Sequence, residues 1–403
     1  MVSIDEIQEV LDTSDRLVAA TSLDFHRYLA PEIDWRDRLI CIKGARGTGK
    51  TTLMRQRIKE GFGVGGKAVY LSLDDLWFAT HRVKDAVEFF SSHGYTHVFL
   101  DEVHHFGADW SLLIKNLHDQ FPDLSFVYSG SSLLKIESSK GDLSRRQAVY
   151  TLKGLSFREY LAFEGVKNER VHTLEEVISD HRQIASGIVS DVKILPHFEA
   201  YLKKGYYPFY KESYALYEQR IVEVVNKVLE SDWTAVSDVS VETVRKAKKM
   251  LMVLAASCPQ QPNMSALYRE LETERNTGLK ILSALEQGGI LALVPPKGVS
   301  LKNLSKPEKI YCDNTNLMYA LTPRINSGTA RETFFFNQVR KDREVVFSGV
   351  GDFLVDGKYH FEIGGAQKGF GQIADVPNSF VVNDGVERGV GNKIPLWLFG
   401  FLY

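Results

Sequence analysis

The 403-residue chain holds only three cysteines, Cys41, Cys258 and Cys312, far apart and without metal-type spacing. That scarcity excludes a disulfide framework and a cysteine zinc site, and it fits a reducing compartment. Long apolar runs are also missing. The best candidate, IPLWLFGFLY at residues 394–403, is about half the length a membrane span needs and reads as a buried last strand. The opening MVSIDEIQEVLDTSD is acidic and has no apolar signal core. No membrane partner is indicated, and the expected location is the cytoplasm. Charge of one sign is absent too: 49 Lys and Arg against 51 Asp and Glu leave a formal net charge of −2. No global basic field therefore marks the chain as a nucleic-acid binder, although a local basic face stays open. There is no internal repeat and no low-complexity linker.

What is present is an ordinary folded composition, 44% hydrophobic and 25% charged, in a chain long enough for two or three domains. Between Arg38 and Leu152, RLICI, KAVYLSL, THVFLDE, LSFVYSG and QAVYTL alternate with helix-length segments. Such alternation predicts βαβ units and a mainly parallel sheet. LSFREYLAF and YEQRIVEVVNKVLESDW carry helical spacing. From Val241, three helices precede LALVPP and KIYCD, the element order of a winged helix. The expected division is a helical lead-in (1–37), an α/β sheet domain (38–165), a helical bridge (166–240), a winged helix (241–322) and a small α/β tail (323–403). The fold class is α/β, a parallel sheet with helices on both faces.

The chemistry begins at Gly44-Ala45-Arg46-Gly47-Thr48-Gly49-Lys50-Thr51, which matches G-x-x-x-x-G-K-[ST]. The glycines let successive backbone N–H groups point inward at phosphate oxygens, and a helix opening near Lys50 and Thr52 adds its positive end. Lys50 would reach the β- and γ-phosphates, and the Thr51 hydroxyl would ligate Mg²⁺. HVFLDEVHH, His97 to His105, reads as a buried strand ending in acids. Asp101 would hold the metal shell and Glu102 would activate the attacking water. Adjacent His104 and His105 point to different sides of most backbones, so a polar loop is expected there, not a shared ion. Arg145 and Arg146 are either a charge-neutralising guanidinium or a surface pair.

With KGARGTGKTTL, AVYLSLDD, VFLDEVHH, YSGSSLLKI, LKGLSFREYL, FEAYLKKGYYP, KVLESDWTAV and KIYCDNTNLMYAL in this order, the chain resembles prokaryotic AAA-type ATPases that carry a C-terminal domain of unknown function. The resemblance implies ATP, and no NKxD-like guanine reader contradicts it. It also implies a polar residue beside the Walker B strand that meets the γ-phosphate or water, for which Ser129 and Ser131 are both candidates. The tail of such proteins resembles the restriction-endonuclease-like PD-(D/E)XK fold. Carried over by position, Glu332, Asp352 and Glu362 are its acids, whereas Gly364 stands where a lysine is expected. Lys368 lies four residues on. A degenerate nuclease-like domain is therefore the expectation.

A two-residue turn at Asp356-Gly357 would put Asp352 across from Phe361, and a three-residue turn would put it across from Glu362. Arg275, Asn276, Thr277 and Lys280 would be exposed on the winged helix, but Glu270, Glu272 and Glu274 precede them, so DNA and protein partners both stay open. An oligomer is compatible with all of this. The reading is Mg-ATP used to drive or gate a conformational change, with two alternatives: a nucleotide-gated switch and a nuclease-like DNA-processing protein. A DExH helicase, suggested by DEVH, would need a second RecA-like domain, and no further βαβ series follows Leu152.

Overall fold

Five short strands between Leu39 and Thr151 form one all-parallel sheet in the computed structural model. It describes residues 4–131, 143, 145–257, 263–298, 307–322 and 324–403. In chain order the elements are α1 (Ile4–Ala19), β1 (Leu39–Gly44), α2 (Lys50–Gly61), β2 (Ala68–Ser72), α3 (Val83–Ser92), β3 (His97–Asp101), α4 (Trp110–Gln120), β4 (Ser125–Ser131) and β5 (Ala148–Thr151). The sheet order is β2-β3-β4-β1-β5.

The central strands are near-continuous apolar runs because helices cover both faces. Period-two alternation puts Leu39, Cys41, Val98, Leu100, Phe126 and Tyr128 in one core with Phe90 of α3 and Ile114 of α4. α2 covers the opposite face, where Arg55 lies 4.3 Å over the Tyr70 ring. The chain leaves β1 in one direction and later returns past it to β5, so a switch point opens beside β1 at the carboxyl ends of the strands. Open α/β sheets bind ligands there.

Contacts divide the chain into two units, Met1–Lys153 with Lys227–Ser240, and Gly154–Asn226 with Val241–Tyr403. The lead-in is built into the first unit. Ile7 sits in its core, and Tyr28 donates to the Thr151 carbonyl at 3.0 Å. On the sequence, Lys227–Ser240 fall in the helical bridge. In the structure they pack with the P-loop sheet as a π-helical turn, Val228–Asp232, and a short helix, Trp233–Val236. A Cβ on Gly44 would lie 2.3 Å from the Leu152 carbonyl oxygen. Gly44→Ala therefore forces two backbones apart and is expected to cost about 2–3 kcal/mol, read as a lowered urea midpoint. An unchanged midpoint would contradict that close approach.

In the second unit, Asn316 ties distant segments together. Its side-chain oxygen accepts from the Gly205 and Tyr206 amides at 2.8 Å each, and its nitrogen donates to the Tyr201 and Leu202 carbonyls. Helices Val241–Ser257, Met264–Glu270 and Arg275–Gln287 precede an antiparallel pair, β6 (Leu291–Val294) and β7 (Lys309–Cys312). Helix Ser327–Val339 leads into the tail sheet of β8 (Val345–Phe347), β9 (Phe353–Val355), β10 (Tyr359–Gly364), β11 (Ser379–Asn383) and β12 (Lys393–Pro395). Its order is β12-β11-β10-β9-β8.

The C-terminal run differs from the strand expected of it. Only Lys393–Pro395 pairs, and Leu396–Phe401 winds as a 3₁₀ segment with every side chain buried. A strand would send alternate residues to opposite faces. The tighter winding puts Phe399 against Phe335 and Phe361, and Phe401 against Phe157.

Candidate functional site

The phosphate loop joins β1 to α2. Gly47 and Gly49 hold φ of 83° and 96°, a left-handed region that a side chain would penalise. Gly49 sits directly ahead of α2, so the free amides of the helix start lie beside the loop. Lys50 is buried, and its ammonium donates to the Gly44 and Ala45 carbonyls at 3.0 and 3.1 Å. Burial pulls its pKa down, while Glu102, Asp101 and Asp232 oppose that shift. Thr48 is buried and donates to the Ala45 carbonyl at 2.9 Å. Arg27, from the lead-in, donates to the Thr48 and Lys153 carbonyls and so pins the loop to the end of β5. Thr52 is exposed.

Asp101 ends β3 fully inside the protein, and three hydroxyls converge on its carboxylate. Thr51 donates to Oδ2 at 2.6 Å, Tyr70 to the same oxygen at 2.7 Å, and Ser129 to Oδ1. Burial and the neighbouring Asp101 carboxylate push the Tyr70 phenol well above its ordinary value, so it stays a donor. Ser129 also accepts from the Glu102 amide at 3.2 Å and braces both acids at once. Of the two candidate serines, Ser129 is the one placed at Asp101, while the Ser131 side chain lies outside the described residues. Thr51 and Asp101 offer adjacent oxygen donors, the ligand type that suits Mg²⁺.

Glu102 is a non-glycine residue at φ 60°, ψ 41°. Left-handed backbone at such a residue costs about 1–2 kcal/mol, a strain that collects at functional positions. The 3₁₀ turn that follows, Val103–Asp109, brings the His104 and His105 rings to 4.7 Å between centroids. One donor atom from each of Glu102, His104 and His105 lies within 4.8 Å of the others, closer than adjacent histidines on an extended strand would permit. His104 is buried, with Nε2 at 3.2 Å from Glu102 and 3.4 Å from Asp232. Asp232 in turn meets Arg46 of the loop at 3.3 Å. Arg145 is exposed, and Arg146 pairs with Asp119 at 3.3 Å. Neither contacts Asp101 or Glu102 among the described residues.

The tail gathers its own acids. The hairpin takes the three-residue turn, with Val355 paired to Tyr359, so Asp352 stands across from Glu362. Lys309, from β7, donates to Glu332 and Asp352 at 3.0 Å each, and Tyr311 donates to Glu332. Lys368 pairs with buried Glu362. A Cβ on Gly364 would lie 2.5 Å from the Lys368 side chain, so this glycine leaves the room that the later lysine fills.

Burial, then Asp352, raises the Glu332 carboxyl above its usual range, with Lys309 pulling it back. A carboxyl raised in the folded state binds its proton more readily there than in the unfolded chain, so its destabilising effect fades on acidification. Lys309→Met is therefore expected to cost about 3 kcal/mol at pH 7, and less at about pH 5, as Glu332 protonates. Urea melts at both values check this, and a deficit independent of pH would contradict it.

The sheet order, the glycine-rich loop between β1 and α2 and the acid-ended β3 define a P-loop α/β domain. In agreement, residues 36–161 match the family model described as an AAA domain, and residues 195–327 match a domain of unknown function (DUF8612). The uncharacterized protein MJ1637 of Methanocaldococcus jannaschii is 29% identical over 294 residues, which cover 68% of this chain and 60% of that protein. The match thus spans less than two thirds of that relative. Among solved structures, AMPPCP-bound DnaA from Aquifex aeolicus overlaps 71% of this chain and 87% of its own at 16% identity, with a TM-score of 0.27. PCH-2 of C. elegans overlaps 51% and 64% at 17% identity and a TM-score of 0.23. At such scores these overlaps carry no functional weight. No helix among the described residues is long and apolar enough to cross a membrane.

Proposed function

We propose that the chain binds Mg-ATP at residues 44–52 and hydrolyses it, using the cycle to drive or gate a conformational change. The observation that carries this reading is the 2.6 Å contact between Thr51 and Asp101, with buried Lys50 in the same loop. Lys50 would meet the β- and γ-phosphates, and the loop amides would cradle them. Thr51 and Asp101 would hold Mg²⁺, which when bound neutralises phosphate charge. Glu102 orients and deprotonates the attacking water, and Ser129 keeps both acids in place. A steady-state ATPase assay with Mg²⁺ tests the reading, and the absence of turnover above background would refute it.

The segment 241–322 reads as a winged helix. Arg275, Asn276 and Lys280 are exposed, but so are Glu270, Glu272 and Glu274 just ahead of them. That mixed face favours a protein partner over duplex DNA. Stimulation of ATPase rate by duplex DNA would reverse the preference. The tail reads as a nuclease-like fold without cleavage, because the Lys309 ammonium already sits between Glu332 and Asp352, where a metal would have to bind.

A further inference from the structure

Asp232 has no role in the phosphate or metal motifs, yet it stands beside the group assigned to water activation. Its carboxylate is buried, on the π-helical turn Val228–Asp232. π-turns are rare, and they recur where a functional side chain must be re-aimed. A buried carboxylate persists only with partners, and this one has a cation and an imidazole. Arg46 of the phosphate loop reaches its Oδ1 at 3.3 Å, and His104 Nε2 lies 3.4 Å from the same oxygen. The other neighbour of that imidazole nitrogen is Glu102, at 3.2 Å. Both ring nitrogens are buried and neither makes a directed hydrogen bond among the described residues, so the ring meets the two carboxylates as close polar neighbours at 3.2 and 3.4 Å.

We propose that Asp232 is a positioning residue for ATP hydrolysis, aiming the Glu102 carboxylate through His104. The inference rests on the reading of Glu102 as the base. Glu102 leaves its strand in the left-handed region, where its side-chain direction is not fixed by the strand pleat. His104 is the group that fixes it, and Asp232 keeps His104 from following Glu102. Arg46 pairs with Asp232, so the imidazole stands between one ion-paired carboxylate and that of Glu102.

The test uses the full chain. Asp232→Asn keeps size and removes charge. It is expected to lower kcat about tenfold to a hundredfold, as a displaced catalytic group does. KM for ATP and the affinity for a fluorescent ATP analogue should stay within about twofold. His104→Ala should give a similar fall, and the double variant should be no slower than the slower single one, because both act through one contact. Wild-type kcat in folded Asp232→Asn, additive losses, or a loss confined to KM would overturn the proposal. Should Asp232→Asn melt below the assay temperature, His104→Gln carries the same test. Glu102→Gln, assayed in parallel, separates the two levels. If it keeps wild-type turnover, the hydrolysis reading fails and Asp232 has nothing to position. If it stops turnover while Asp232→Asn and His104→Gln do not, only the positioning role falls.

Discussion

Lys50→Ala is expected to abolish ATP binding at micromolar nucleotide. The Lys50 side chain is buried at the mouth of α2, where desolvation pulls its pKa down and Glu102, Asp101 and Asp232 oppose that pull. Its two carbonyl contacts are within the loop itself, so it can exchange them for phosphate oxygens without leaving the site. Each charge-assisted hydrogen bond is worth about 1.5–3 kcal/mol. Losing two of them costs about 3–6 kcal/mol, a hundredfold to more than ten-thousandfold in affinity. Alanine also strands the Gly44 and Ala45 carbonyls, which loosens the loop that should cradle the phosphates. Titration with a fluorescent ATP analogue reads the loss directly. Affinity within threefold of wild type would show that the phosphates sit elsewhere.

Glu102→Gln should separate binding from turnover. Glutamine preserves size, and neither the Glu102 amide bond to Ser129 nor the Asp101 hydroxyl shell depends on the Glu102 charge. Nucleotide affinity is therefore expected to stay within about twofold, whereas kcat should fall by about 10²–10⁴, the usual worth of a positioned general base. The protein would then accumulate bound ATP. Unchanged turnover would contradict the role of this carboxylate, and a parallel loss of affinity would instead mark it as a binding group.

Much of this site could be read from local sequence. The loop, the helix behind it and the acids at the end of THVFLD are contiguous motifs, and the five strands announce themselves as short apolar runs between helix-length segments. Groups that reach the site across long stretches of chain were not legible. Tyr70 looks like one more core aromatic in AVYLS until the sheet brings its hydroxyl to Asp101. Arg27 sits in an unremarkable lead-in, and Asp232 in a helix that returns to the first unit after more than seventy residues in the second. Lys309 belongs to a strand read as part of the wing, yet it neutralises two acids of the tail.

The tail hairpin shows a smaller limit. Two turn lengths fit FLVDGKYHF equally well, and the choice of three residues depends on Asp356 and Gly357 both adopting positive φ. Ser129 and Ser131 have the same parity, so pleating could not separate them; Ser129 hydrogen-bonds Asp101, and the Ser131 side chain lies outside the described residues.

One titration goes to the heart of the account. Purified wild-type chain is titrated with ATP in the presence of Mg²⁺, and the bound nucleotide is counted per chain. The expected result is a single saturable site that ADP competes for and that weakens when Mg²⁺ is chelated. No saturable binding up to millimolar ATP would contradict the central claim that Lys50, Thr51 and Asp101 surround one magnesium triphosphate.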